Sequence, residues 1–473
     1  MNQDVQGFGI GDLQDVQAIN KALEGAEGTG LAAGSAWGSS NYGTTGAQAL
    51  RVESLDSSLK VITFTDKHIN FWKDIPKSPA YSTVEEYNQL TSYGTQGSGF
   101  WAEGELPYQT NSDYTRKAAL VKFVGTTRSV AHPLTLVRTM VPDVIAQENS
   151  NGIMWMLRQI ENALFWGNDK GRDSAEYVEW AGMDKLIADG GNTYDLRATA
   201  FATTPFTTLV NDLAQTVVDN FGFPTDLYIP FPVLAKINEE FAGTAAQRVI
   251  LPTASGNTQV NINIDGLMTQ AGRVNLKPTF FLQKTREAPA AATLLKSDEM
   301  PLASVTVTMS AAGTPDANGA VAAGDYAASF TLSNKYGETV KKTCAGGTIT
   351  TSGSNTLRFA VSGVDANANT AQFLNVFITE TDDAAGTQYW VQSFPLAATA
   401  DTNYDYDGIR VPNSYTSFIG QMTPDVITFR QLAPLVKMDL ATIAPAYKWM
   451  ILLYGVPVIF APLKWTRVIN IKY

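Results

Sequence analysis

The chain has 473 residues, of which 44% are apolar and 17% charged, so it can bury a sizeable core and divide into about two to four domains. Its net charge of −11, from 45 acidic against 34 basic side chains, excludes the basic stripe that drives counterion release at a phosphate backbone, although an acidic wall can surround a nucleic acid without binding it. The single cysteine, Cys344, excludes a disulfide framework and a zinc site built from several thiolates, and reads as a small apolar filler.

In chain order, the first residues lack the charged and apolar regions of a secretory signal. Residues 1–48 are polar, with one short helical candidate at 13–23 and then a Gly, Ala and Ser run. Such a composition cannot bury enough area to fold alone, so this segment is expected to be an arm lying on something else, another subunit included. Leu50, Val52, Leu55 and Leu59 then lead into the extended Val61-Ile62-Thr63-Phe64. Asp66 is expected to cap a short helix carrying Ile69, Phe71 and Trp72, which Pro76 ends. Residues 80–93, the glycine-laced turn 94–99 and the extended run 115–130 together predict a long β-hairpin that projects from the body.

A long helix is predicted over 143–166, with Pro142 and Asp143 at its first turn and Gly167 as its stop. Ile145, Ile153, Leu157, Ile160 and Leu164 keep helical spacing as its buried stripe, while Arg158, Gln159 and Glu161 are expected to face away. Residues 205–221 predict a second helix with Phe206, Leu209, Val210, Leu213 and Val217 on one face. A strand at 226–229 and a helix at 232–241 continue this compact α/β domain.

A linker of Ala, Pro and scattered charges at 284–301 gives way to period-two alternation over 303–394. The alternating residues are Val305, Val307 and Met309; Tyr326, Ala328, Phe330 and Leu332; Leu357, Phe359 and Val361; Leu374, Val376 and Ile378; Tyr389 and Val391. That pattern predicts half-buried strands closing a β-sandwich, inserted late into a larger body. The body returns after Asn403 with a strand at 422–429, a polar and apolar mixture at 432–440 and a strand-rich close at 449–471. The most apolar stretch, 449–460, is shorter than the roughly 20 residues of a membrane span and is broken by Gly455 and Pro457, so it reads as core, with no membrane partner.

Chemistry finds little support. Only His68 and His132 occur, so an H-E-x-x-H zinc site is absent, as are the G-x-S-x-G elbow and the phosphate loop G-x-x-x-x-G-K-[ST]. Glu103 with Glu105, or Glu85 with Glu86, are the carboxylate pairs on offer for glycoside hydrolysis, and solvated loop charges account for them more simply. Asp401, Asn403, Asp405 and Asp407 alternate as calcium ligands do, yet Tyr406 stands where an EF-hand loop needs glycine and Pro412 where it needs glutamate. A polar exit turn is the simpler reading. No catalytic, cofactor-binding or metal-binding residue is expected, and the chain does not read as an enzyme.

The order of parts resembles the tailed-bacteriophage major capsid proteins of the Hong Kong 97 type, and among them the subgroup from large contractile-tailed phages with an immunoglobulin-like insertion. Leu55-Asp56, Phe64-Thr65, Phe71-Trp72, Asp74-Ile75, Pro79 and Ser82-Thr83-Val84 carry the resemblance near the start. Met422-Thr423-Pro424, residues 432–440, Leu453-Tyr454-Gly455 and Ala461-Pro462-Leu463-Lys464-Trp465 carry it near the end. It implies an α+β, HK97-like capsid fold with an N-terminal arm at 1–48 and a body at 49–300. Within that body it implies an E-loop at about 80–130, the spine helix of a peripheral domain at about 143–166 and an axial domain from about 204. An inserted all-β immunoglobulin-like or fibronectin-like sandwich at 301–400 and a return at 401–473 complete it, and the missing cysteine pair makes the immunoglobulin likeness one of architecture only.

The resemblance also implies a head protein that assembles with itself, as hexamers and pentamers, into an icosahedral shell enclosing double-stranded DNA without specific binding. It places the chain in a virion capsid assembled in the host cytoplasm, with portal, scaffold and decoration proteins as partners, no cofactor, and the sandwich displayed on the surface. The physics of the hairpin agrees, because unpaired edges and exposed aromatics are satisfied by lying across a neighbour. Tyr81, Tyr87, Trp101 and Tyr114 are the expected intersubunit anchors, the alternative being that they pack on their own loop. Two other functions stay open. One is an encapsulin-like nanocompartment shell, against which length and insertion argue; the other is a carbohydrate-binding adhesin or tail protein, with the sandwich as its active part.

Overall fold

The computed structural model describes residues 64–94, 99–107, 109–137, 143–169, 179–197, 204–243, 251–252, 258–259, 264–282, 305–312, 321–334, 337–363, 371–397, 402–406, 408–441 and 444–472. The expected arm at 1–48 with its helix at 13–23, the run from Leu50 to Thr63 and the linker at 284–301 lie outside the described residues.

Helix α1 (Phe71–Asp74) is followed by strands β1 (Lys77–Pro79), β2 (Val84–Ser92), β3 (Asp113–Leu120) and β4 (Lys122–Ala131). Helices α2 (His132–Leu136), α3 (Val144–Trp166) and α4 (Met183–Gly190), strand β5 (Asn192–Asp195), α5 (Phe206–Val218), β6 (Asp226–Pro230) and α6 (Phe231–Gly243) come next. Short β7 (Leu251–Pro252) and β8 (Thr258–Gln259) precede β9 (Gly266–Thr269) and β10 (Gly272–Thr279). The β-rich stretch holds β11 (Thr306–Ala312), β12 (Gly324–Tyr326), β13 (Ala328–Asn334), β14 (Gly337–Glu338) and β15 (Lys342–Thr343). It continues with β16 (Ile349–Thr351), β17 (Thr356–Ser362), β18 (Phe373–Ile378), β19 (Tyr389–Pro395) and β20 (Asn403–Tyr406). Strands β21 (Tyr415–Gly420), β22 (Ile427–Asp439), β23 (Ala446–Ile459) and β24 (Trp465–Ile471) close the chain.

Helix α3 forms where its signals stand. The Asp143 carboxylate accepts from Ile145 N at 2.9 Å and Ala146 N at 3.0 Å, satisfying two donors that the first turn leaves unpaired. Its 23 residues run about 35 Å. At the far end a Cβ on Gly167 would stand 2.5 Å from both Ala163 O and Trp180 O, so only glycine lets the chain turn that closely. The buried face differs from the expected stripe: Gly152, Met156, Ile160, Glu161, Leu164 and Phe165 are buried, whereas Ile145, Ile153 and Leu157 are only half-buried. Glu161, expected to face solvent, is fully enclosed.

The reason lies in α1. That helix has no side-chain cap of its own, and Asp66 pairs with Lys73 at 2.8 Å instead of capping it. Glu161 reaches across from α3 and accepts from the backbone of Asn70 at 3.1 Å, Phe71 at 2.8 Å and Trp72 at 2.8 Å. A carboxylate on a helix N-terminus is favoured by the dipole as well as by the donors. Burial pushes its pKa up, the three N–H groups pull it back in part, and neighbouring Asp74 raises it further.

Helix α3 packs on a four-stranded sheet of order β1-β22-β23-β4. Their shared core gathers Phe71, Met156, Phe165, Phe429, Trp449 and Ile451, among others. The apolar stretch from Trp449 is therefore a core strand, β23. A second, mixed sheet of order β5-β24-β21-β6-β10-β9 is packed by α5 and α6, whose Leu213, Val217, Val233 and Ile237 meet Leu227, Ile229 and Val468.

The β-rich stretch forms one sheet of order β11-β17-β20 and another of order β14-β13-β18-β19, in which β15 also pairs with β13; β12 and β16 pair separately. The residues singled out by alternation meet in a core of their own that includes Met309, Phe330, Phe359 and Val376; Tyr389 is buried outside it. Strand β18 departs from half burial, being enclosed along its whole length. On its second side Asn375 is enclosed because its amide donates to Ser333 Oγ at 3.1 Å and Glu338 Oε1 at 3.0 Å, a paired polar network that tolerates burial. Cys344 lies buried here, its thiol pushed up to about 12 by burial, which makes it inert filler.

Candidate assembly surface

Strands β2 and β3 form a two-stranded hairpin that pairs with no other described strand. A hairpin alone is marginal in water, so its two faces decide what supports it. Antiparallel register sets Tyr87 opposite Lys117 and Glu85 opposite Ala119 on one side, and Val84 opposite Leu120 and Leu90 opposite Tyr114 on the other. The first side touches the chain's own body: Tyr87 meets Phe460 edge to face at 5.1 Å, and Gln89 donates to the Phe460 carbonyl. The second side is bare, with Val84, Leu90, Tyr114 and Leu120 all exposed.

The predicted anchors therefore split. Tyr81 at the hairpin base, Trp101 in the loop beyond its tip and Tyr114 on β3 are 86%, 56% and 71% exposed. Tyr87 is half-buried on its own body, which also raises its phenol pKa. The sequence reading missed Tyr93, Phe100 and Leu106, which are exposed on the same loop and betray themselves only as large apolar residues inside a Gly-rich, polar stretch. The expected second arm, 115–130, is two strands. Strand β4 leaves the hairpin at Val121 and pairs with β23, from Ala131 opposite Ala446 to Lys122 opposite Gly455. There Phe123, with Val436 and Met438 of β22, forms further exposed apolar surface.

The carboxylate pairs do not converge. Glu85 and Glu86 are neighbours in a strand and so point to opposite faces. Glu85 accepts from Tyr81 N at 2.8 Å and Ser82 N at 3.2 Å, while Glu86 pairs with Arg116 across the hairpin. Glu103 and Glu105 are exposed in the loop. Asp405 is held by Arg358 through bonds of 2.8 and 2.9 Å, whereas Asp401 and Asp407 lie outside the described residues. His68 stacks on Phe64 at 5.4 Å, and His132 leans on Tyr447 at 5.8 Å. Among the described residues no group of three or more His, Cys, Asp or Glu side chains is placed to hold a metal, and no helix is long and apolar enough to cross a membrane. Among the described residues the arrangement offers apolar docking surface and no convergent reactive groups.

Residues 38–339 match the sequence profile of a family described as SU10 major capsid protein. The major capsid protein of Staphylococcus phage K is 24% identical over 437 residues, spanning 90% of this chain and 91% of that one. Among solved structures, the capsid of Cyanophage P-SCSP1u has a TM-score of 0.45 at 9% identity, covering 92% of this chain and 98% of its own. The holo-SrpI encapsulin complex from Synechococcus elongatus PCC 7942 has a TM-score of 0.42 at 10% identity, covering 90% and 94%.

Proposed function

The chain belongs to the SU10 major capsid protein family, and from that premise we propose that the bare face of its hairpin and loop is a contact laid across a second copy during shell assembly. The protein is a phage major capsid protein, a shell-forming structural subunit of the virion capsid and not an enzyme. The encapsulin alternative is not favoured, because the family match and the curated relatives are phage capsid proteins.

The observation that carries the contact is the exposure of Tyr81, Trp101 and Tyr114 on an arm whose opposite face rests on its own body. Burying a large apolar side chain yields roughly 1.5–3 kcal/mol. Three anchors thus supply about 5–9 kcal/mol per contact before the entropy of association is subtracted. Repetition under closed symmetry makes such a modest contact sufficient for a stable assembly.

The finer reading follows the same physics. The shell is icosahedral, built from hexamers and pentamers with an HK97-like subunit, and encloses double-stranded DNA that its acidic chain does not grip. It is assembled in the host cytoplasm with portal, scaffold and decoration proteins. In this reading 1–48 is the arm, 49–300 the body, 301–400 a displayed, inserted sandwich and 401–473 the return.

Sedimentation of the purified chain tests the contact. Replacing Tyr81, Trp101 and Tyr114 together by Ala is expected to leave subunit melting unchanged, since all three are exposed. It should raise the concentration at which particles form by about 1,000-fold or more, since a loss of about 5 kcal/mol at 1.4 kcal/mol per factor of ten exceeds three decades. Tyr87→Ala should instead lower subunit stability. Unchanged assembly by the triple variant would remove the proposal.

A further inference from the structure

The sandwich meets the rest of the chain through a cluster whose members come from five different segments. Arg410, in the return between β20 and β21, donates through Nη2 to Asp184 Oδ1 of α4 at 2.9 Å, and Arg467 Nη1 of β24 reaches the same oxygen at 3.0 Å. The Arg410 guanidinium carbon stands 5.1 Å from the Trp166 ring at the end of α3 and 4.9 Å from the Trp390 ring on β19. The two indoles meet edge to face at 6.0 Å.

Each ring is itself fixed. Trp166 Nε1 donates to the Phe281 carbonyl at 2.9 Å, on the body side. Trp390 Nε1 donates to Ser393 Oγ at 3.0 Å, and that hydroxyl donates to Asn375 Oδ1 at 2.6 Å, on the sandwich side. Arg410 is 6% exposed, and its Nη1 has no acceptor among the described residues, so the indole faces supply its remaining electrostatic compensation. Burial would raise the Asp184 carboxyl, but the guanidinium groups of Arg410 and Arg467 overrule it and hold it below the usual range.

Two further ties flank the cluster. Asn470, in left-handed backbone at φ 64°, donates to Ile409 O at 2.7 Å and accepts from Val411 N at 2.7 Å. Lys472 pairs with Glu380 of the sandwich. A module joined only by its two connecting chains would present solvated polar surface at the junction. At this junction the buried Arg410 side chain bonds a carboxylate and lies against two rings at once, a task that a planar guanidinium fork suits better than a compact ammonium.

We propose that Arg410 is a positioning residue that sets the orientation of the sandwich on the shell-forming body, so that the sandwich is carried as a rigid extension of α3 and β24. The sense of "shell-forming" rests on the function proposed above, but the clamp itself is tested on the unassembled full chain, so failure of one leaves the other standing.

Hydrogen exchange and limited proteolysis of the full chain decide it. Arg410→Lys keeps the charge and loses the planar contacts. It is expected to speed exchange at least tenfold in 403–415 and around Trp166 and Asp184, and to open cleavage at the sandwich junctions, while β13, β18 and β23 stay as protected as in the unaltered chain. Trp390→Phe, which keeps a ring and loses the indole N–H, should do the same more weakly and serves if the lysine variant does not fold. Wild-type exchange and cleavage in both variants would overturn the proposal. So would a uniform loss of protection through all strands, which marks an ordinary core residue.

Discussion

At the scale of the residue, Glu161 joins α1 to α3, and its charge state has a computable consequence. Its carboxyl pKa is raised in the folded chain, so the folded state holds the proton to higher pH than the unfolded state, where a glutamate titrates near about 4.3. The stability this contributes is fully present below the unfolded value and is lost as pH rises through the folded one. Urea unfolding of wild type and Glu161→Gln from mildly acid to neutral pH should give curves that diverge, with the wild type losing stability relative to the amide as pH rises. Parallel curves would contradict the assignment. Glu161→Ala leaves three N–H groups without their acceptor and should cost about 3 kcal/mol at neutral pH.

Sequence assigned Glu161 to solvent because it is charged, yet Leu157 and Phe165 stand one helical turn to either side of it, which places it on an apolar stripe. The exposure of Tyr81, Trp101 and Tyr114 was readable because aromatics on a polar, Gly-containing hairpin have no local core to enter. Tyr87 was not separable from them, since its partner Phe460 is far away in the chain.

At the scale of the element, elements with strong local signals match the sequence reading closely. Helix α3 begins one residue after its cap and ends one before its glycine, and Asp143→Ala should lower stability by about 1 kcal/mol in urea unfolding, through loss of the two N-terminal hydrogen bonds. No change would mean that water satisfies those donors equally well. Strands with irregular registers were hidden. Strand β22 runs on through 432–439, read as a mere mixture, because register shifts near Ala433 and Val436 break the alternation on which such a reading depends. Strands β3 and β4 merged into one predicted run because a single residue separates them, and which partner each takes is a tertiary fact. The β-rich stretch was legible from period two, but burial of both sides of β18 was not, since that depends on a polar network that ties Asn375 to three other strands.

At the scale of the whole molecule, one chain combines a body that buries its own core with an arm that leaves one face unburied. An exposed apolar face is unfavourable in water, and the proposed contact with a second copy is what covers it. The acidic charge fits a container that does not adhere to nucleic acid. An electron cryomicroscopy map of particles formed by the purified chain tests this most directly. The account predicts closed shells in which Val84, Leu90, Tyr114 and Leu120 are covered by a neighbouring subunit while Tyr87 stays on Phe460 of its own. Particles in which that face remains solvent-exposed, or folds back onto its own body, would contradict it.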